Sequence, residues 1–181
     1  MINVGNNRKI SDILHIGDKM NECDYEQDII QSMNKINPTT CVATSDLQVQ
    51  IPDDQGRNIV LYFYPKDDTP GCTTEGQDFS RLNQEFIDHN TVVYGVSRES
   101  IASHNKFICK YDFNFDLISD PDEILCNQFG VIQLKKLYGK EYMGIVRSTF
   151  IISPTGDIFK HWDKVRVKDH ADEVLEVIKT L

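Results

Sequence analysis

The chain alternates runs in which every residue is apolar with stretches in which apolar residues recur every three or four positions. The clearest run, residues 59–64, is apolar or aromatic throughout and is stopped by Pro65. It predicts a strand buried on both faces. A Pro-Lys-Asp-Asp-Thr-Pro-Gly loop follows, and from Glu75 onward Phe79, Leu82, Phe86 and Ile87 take helical spacing. Further strands are predicted at 91–97, 115–119, 146–153 and 157–162, and helices at about 101–111 and 169–180. Asp120-Pro121 signals a helix start and Gly130 its stop. Residues 134–144 read as a loop or poorly formed hairpin. Upstream, Cys41-Val-Ala and Leu47-x-Val-x-Ile51 read as short strands, with turn chemistry at Pro52-Asp-Asp-Gln-Gly56 leading into the central strand.

Strands and helices that alternate and then end in a hairpin and a helix imply an α/β fold, with a mixed central β-sheet and helices on both faces. That domain is expected over residues 39–181. Residues 1–38 are an N-terminal extension in which Tyr25, Ile29, Met33 and Ile36 fall at helical spacing, a possible helix over 24–37.

The charge balance narrows the partners. With 19 basic and 28 acidic residues the net charge is −9, and the one basic cluster is the modest Lys164-Val-Arg-Val-Lys168. Nucleic acid and anionic membrane are therefore excluded as expected partners. No 18 apolar residues run together, the opening residues hold no apolar core of a signal peptide, and Asp18, Glu22, Asp24, Glu26 and Asp28 do not suit a mitochondrial presequence. Five cysteines at irregular spacing, without a C-x-x-C or His-x-x-x-His pair, form neither a disulfide framework nor a zinc site. The expected compartment is a reducing cytoplasm, and no metal is expected.

One cysteine stands apart. Cys72 lies where the central strand hands over to a helix, and the free N–H groups and positive dipole end found there favour a thiolate over a thiol. A lone cysteine is more often a small buried hydrophobe, and that is the expectation for Cys23, Cys41 and Cys126. The five histidines show no spacing that suggests a metal site or a Cys–His couple.

The string Phe63-Tyr-Pro-Lys-Asp-Asp-Thr-Pro-Gly-Cys-Thr73 resembles the active-site signature of peroxiredoxins, in particular the PrxQ or bacterioferritin comigratory protein subgroup. The resemblance extends to Gly95-Val-Ser, Leu117-Ile-Ser-Asp-Pro, Gln128-Phe-Gly-Val and Arg147-Ser-Thr-Phe-Ile-Ile-Ser, and so covers roughly residues 46–181. It implies a thioredoxin-like fold. The loop keeps the thioredoxin spacing, but Thr69 stands where the dithiol enzymes have their first cysteine, so no local disulfide can form.

The resemblance also assigns roles. Cys72 would be the peroxidatic nucleophile, and Pro65 would shape the loop and limit access to the sulfur. The Thr69 hydroxyl would accept from the peroxide and donate to the thiolate, while N–H groups at Gly71 and Cys72 bind peroxide oxygen. Arg147 would supply a permanent charge beside the sulfur, and Glu75 would hold that guanidinium. The implied activity is reduction of hydrogen peroxide and alkyl hydroperoxides through a Cys72 sulfenic acid, reset by thioredoxin or another thiol, in a monomer or weak dimer without metal, haem or flavin. A redox sensor or relay that passes oxidation to a partner, and a chaperone-like scaffold with a vestigial Cys72, are the competing readings. The subgroup resemblance implies a resolving cysteine either five residues after Cys72, where Gln77 stands, or in the helix that follows the next strand, where Cys109 lies; Cys109 is thus the resolving candidate, against a cycle in which an external thiol attacks the sulfenic acid directly.

Overall fold

A strand buried on both faces needs a neighbour at each edge and a layer on each side. The computed structural model, which describes residues 35–137 and 139–181, supplies both. β3 (Asn58–Phe63) lies between β4 (Thr91–Ser97), which is parallel to it, and β8 (Ser148–Ile152), which is antiparallel. Beyond β4 come parallel β5 (Leu117–Ser119) and antiparallel β1 (Thr39–Ala43) and β2 (Gln48–Ile51), and β9 (Ile158–Trp162) closes the other edge. The seven strands run in the order β2-β1-β5-β4-β3-β8-β9.

Strand alternation divides the core in two. Ile59, Leu61 and Phe63 point into one layer, and Val60 and Tyr62, joined by Tyr64 just past the strand, point into the other. Residues 59–63 are all at most 1% exposed, so neither face of β3 meets water. α1 (Pro70–Asp88) carries the chain from β3 to β4 and α2 (Ile101–Tyr111) from β4 to β5. Two parallel crossovers stepping the same way across a sheet lie on one face when both are right-handed. Phe79, Leu82 and Phe86 of α1 and Phe107 of α2 accordingly share one layer with Val174, Leu175 and Ile178 of α4 (His170–Ile178). The other face receives the short α3 (Ile124–Gln128) through Leu125 and Cys126. The expected mixed sheet with helices on both faces is present, unevenly loaded. Gly76 brings α1 against Phe113: a β-carbon there would lie 2.5 Å from that ring.

Several local expectations change. α1 starts at Pro70, ahead of the apolar periodicity, because Pro suits the first helical position and needs no donor. The helix expected directly after Asp120-Pro121 is delayed. Glu123 takes a left-handed backbone, α3 begins at Ile124, and the Asp120 carboxylate accepts from the N–H groups of Ile124 and Cys126, each at 2.8 Å. Residues 134–144 belong to a regular hairpin of β6 (Ile132–Leu137) and β7 (Lys140–Ile145), paired from Ile132↔Ile145 to Leu137↔Lys140. Its apolar alternation is broken by Lys135 and Lys136. The possible helix over 24–37 falls mostly outside the described residues, but its last described residues are not helical. Lys35 forms a β-bridge with Asp157, and Ile36, which is buried, donates its N–H to the Gly156 carbonyl at 2.9 Å.

Candidate active site

Cys72 is the third residue of α1. Thr69, with extended backbone, is the N-cap and Pro70 follows it. The first helical bond is donated by the Thr73 N–H to the Thr69 carbonyl at 2.8 Å. The N–H groups of Gly71 and Cys72 therefore end the helix without a helical acceptor. Chain geometry upstream comes from Asp68, whose left-handed φ of 55° turns the strand exit into the helix entry. Cys72 itself is only 1% exposed.

Arg147 arrives from the opposite end of the sequence, between β7 and β8. Its Nη2 donates to Cys72 Sγ at 3.1 Å and its Nη1 pairs with Glu75 Oε2. Glu75 is 1% exposed, and its other oxygen, Oε1, has no hydrogen-bond partner among the described residues. Burial pushes the Glu75 carboxyl up to about 7, against the opposing pull of the Arg147 charge and hydrogen bond. Burial works against the guanidinium too, but the negative charges of Glu75 and Cys72 outweigh it and strengthen its hold on the proton. The set is therefore a partly buried cation shared between a buried sulfur and a buried carboxylate. Gly71 lies beside it at the helix mouth, where a β-carbon would sit 3.5 Å from Arg147 Nη2.

The structure thus brings together four sequence-predicted residues: Cys72, Arg147, Glu75 and Gly71. Pro65 stands exposed at the loop's start. Thr69 is half-buried, and its hydroxyl donates to the Lys66 carbonyl at 3.2 Å rather than to the sulfur. Cys109 is exposed on α2, in a groove with Ser45, Asn105, Phe113, Asn114 and Asp116, and both it and Cys72 are free thiols. Cys41 and Cys126 are buried, and burial pushes both thiols up, Cys41 to about 12. Cys23 lies outside the described residues. Among the described residues no cluster of side chains suits a metal ion.

Sequence reasoning missed two features. One is Lys135, which the β6–β7 hairpin places within the field of Arg147 and Cys72, its Nζ donating to the Ile145 carbonyl. Burial and then Arg147 lower its pKa, while Cys72 raises it. The other is a polar network tying the loop before Cys72 to α2. Asp67 accepts from Tyr64 Oη at 2.7 Å, from Ser103 Oγ at 2.6 Å and from His104 Nδ1 at 2.9 Å. The one sequence signal for it is that His104 sits three residues before Phe107, on the core-facing stripe of α2.

A thiol held at a helix start by an arginine paired to a buried glutamate is an arrangement that comparison with known proteins can place. The model of the AhpC/TSA family matches residues 33–161. The peroxiredoxin Bcp of Xanthomonas campestris pv. campestris is 52% identical over 124 residues, covering 68% of this chain and 78% of that protein. The chain belongs to the AhpC/TSA family, among the peroxiredoxins of the Bcp or PrxQ type. The peroxiredoxin Bcp of Bacillus subtilis is 48% identical, over 74% of this chain and 85% of its own length. Among solved structures, Xanthomonas campestris peroxiredoxin Q superposes with a TM-score of 0.75 at 46% identity, covering 78% of this chain and 90% of that one. A cysteine-to-serine mutant of Xylella fastidiosa PrxQ gives 0.76 at 41% identity, over 81% and 96%. The thioredoxin-like fold expected of a peroxiredoxin is thereby established, and as a peroxiredoxin the protein is a peroxidase.

Proposed function

We propose that this peroxiredoxin reduces hydrogen peroxide and alkyl hydroperoxides at Cys72 and is reset by thioredoxin or a similar thiol. The observation that carries the reading is the Arg147 Nη2 to Cys72 Sγ contact at 3.1 Å, with Glu75 behind it. A permanent cation on the sulfur favours the anion that attacks, and it stabilises the charge that spreads onto oxygen as the O–O bond stretches. The thiolate attacks one peroxide oxygen in line. The O–O bond breaks, that oxygen stays on sulfur as a sulfenic acid, and the other departs with a proton as water or alcohol.

The Gly71 and Cys72 N–H groups, without a helical acceptor at the helix start, would bind a peroxide oxygen. The Thr69 hydroxyl, which donates to the Lys66 carbonyl, would accept from the peroxide O–H. Pro65 shapes the mouth. The alkyl substrate class finds support in a relative: a structural study of the Xanthomonas campestris bacterioferritin comigratory protein concerns its alkyl peroxide reduction activity. The comparisons favour the peroxidase over a relay or sensor.

For the reset, Cys109 attacks the sulfenic sulfur, an S–S bond forms and water leaves. Its exposure on α2 favours this role, and the burial of Cys72 means that local unwinding must precede the bond, since disulfides need Cα atoms within about 7 Å. We read the protein as cytoplasmic and as a monomer or weak dimer, with residues 1–38 an extension of a domain over 39–181. Among the described residues no helix is long and apolar enough to cross a membrane. The test is mass spectrometry of the reduced protein after one equivalent of peroxide. A Cys72–Cys109 peptide with two thiols consumed, and turnover with thioredoxin, is the expected result. A sulfenic acid at Cys72 that only an external thiol removes gives the one-cysteine cycle instead.

A further inference from the structure

The loop leading to Cys72 is fastened to α2 at two neighbouring residues, and the two fastenings differ in kind. The inner one is buried: Asp67 is 7% exposed and His104 fully buried. Burial alone would raise the Asp67 pKa, but the hydrogen bonds from His104, Ser103 and Tyr64 and the His104 charge outweigh it and lower it. A carboxylate can only accept, so His104 Nδ1 carries the proton, and its Nε2 is left buried without a partner among the described residues. The outer fastening is exposed. Asp68 accepts from Lys110 Nζ at 2.7 and 2.8 Å and from Tyr111 Oη at 2.5 Å, with the lysine and aspartate side chains about half exposed.

Their places on α2 are unequal as well. Ser103 and His104 belong to its first turn, capped by the Ser100 hydroxyl, whereas Lys110 and Tyr111 directly follow Cys109 and end the helix. Past Phe107, no residue of α2 is buried. The last turn is therefore held by the partial packing of Ile108 and Tyr111 on the core and by the outer fastening, and segments with few buried contacts open at little cost.

We propose that the two fastenings work as hinge and catch. Asp67, Ser103 and His104 keep the first half of α2 fixed to the Cys72 loop, and Asp68 holds Lys110 and Tyr111 and so sets how often the last turn opens to deliver Cys109. This rests on Cys109 as the resolving thiol. The catch then decides between two fates of the sulfenic acid. When the turn opens, the Cys109 sulfur attacks, the S–O bond breaks, an S–S bond forms and water leaves. When it stays closed, the sulfenate attacks a second peroxide, that O–O bond breaks, and the sulfur ends as sulfinic acid while water or alcohol leaves.

Asp68→Asn removes the charge of the catch and keeps a residue that tolerates the left-handed backbone at this position. Two readouts are compared with the unmutated protein: hydrogen exchange of the reduced form by mass spectrometry, and the products of a peroxide titration. Expected are several-fold faster exchange in peptides covering residues 109–112, unchanged exchange at 101–105, several-fold faster Cys72–Cys109 linkage and less sulfinic acid at excess peroxide. Asp67→Asn, by contrast, should speed exchange along all of α2. Unchanged exchange at 109–112 in Asp68→Asn overturns the catch. Faster exchange without faster linkage overturns its control of chemistry. If the unmutated protein forms no Cys72–Cys109 peptide, the resolving reading itself falls, and the exchange comparison still decides the catch.

Discussion

Two cysteines of this peroxiredoxin occupy the same position in two different helices. Cys72 is the third residue of α1 and Cys126 the third of α3, and each is at most 1% exposed. Helix position and burial are therefore held constant, and the neighbours differ. At α3 the Asp120 carboxylate already occupies the helix start, accepting from Ile124 and Cys126 N–H groups, and with burial it pushes the Cys126 thiol up. At α1 the equivalent N–H groups have no helical acceptor, and the group against the sulfur is a guanidinium. On the proposed reading, a helix N-terminus alone does not make a nucleophile. What distinguishes Cys72 is the sign of its charged neighbour and the vacancy of the donors around it.

The comparison breaks first at the sulfur itself. Cys72→Ser should abolish peroxide consumption and leave the fold intact, because serine offers neither an anion at neutral pH nor a soft nucleophile. Cys126→Ser should leave consumption near the unmutated rate; coupled peroxide assays with circular dichroism as the folding control measure both. Next comes the cation: Arg147→Ala should slow sulfenic acid formation by about 10²–10³, the usual cost of losing a preorganised donor to developing charge. Single-turnover peroxide kinetics decide it. A rate within a few-fold of the parent would mean that the helix start alone suffices after all.

Glu75 acts on the sulfur through Arg147, so its effect should be smaller. Glu75→Gln should cost about tenfold, the worth of a hydrogen bond to a charged group. The pH dependence carries a sign. Because burial pushes this carboxyl up to about 7, it holds Arg147 as an anion above that pH and is protonated below it. The gap between parent and variant should widen as pH rises through 7 and narrow below. A gap independent of pH between 6 and 8.5 would show that Glu75 works by shape alone.

How much of this the sequence discloses follows from where each signal sits. The strand into Cys72 and the helix out of it are contiguous, so both are legible in residues 59–88, and the β4 and α2 runs are equally plain. Arg147 is legible only through its family context, because nothing local in Arg147-Ser-Thr says that it spans the molecule to Cys72. The hairpin was obscured because two exposed strands need no apolar alternation, and Lys135 and Lys136 erase it. The Asp67–His104 network was illegible for a different reason: its members lie 37 residues apart, and each looks ordinary in its own segment. Asp120 shows the middle case, since its capping role is readable but its four-residue reach to Ile124 depends on the left-handed turn at Glu123.

The smallest effect sharpens the other side of the comparison, the inert thiols. Burial pushes Cys41 up to about 12, and burial with Asp120 pushes Cys126 higher. Both folded-state values stand above the ordinary thiol value of 9.0. Each group therefore contributes fully below pH 9 and loses that contribution as pH rises, because the unfolded chain ionises there and the folded one does not. One pH unit above the unfolded value corresponds to about 1.4 kcal/mol for a group that stays neutral when folded. Buried tyrosines such as Tyr62 and Tyr64 weaken the fold at alkaline pH in the same direction, so the absolute slope is no test. The difference between parent and Cys126→Ala is one, since the tyrosines cancel. Alanine leaves a cavity whose cost does not depend on pH, so the variant should be less stable by a constant amount at pH 7–8. From pH 8 to 10 the parent should then lose about 1.4 kcal/mol more than the variant, read as converging urea midpoints, and Cys41→Ala should behave alike. Parallel midpoints across that range would mean that Cys126 ionises as readily folded as unfolded. The contrast with Cys72 would then lie in access to peroxide rather than in charge.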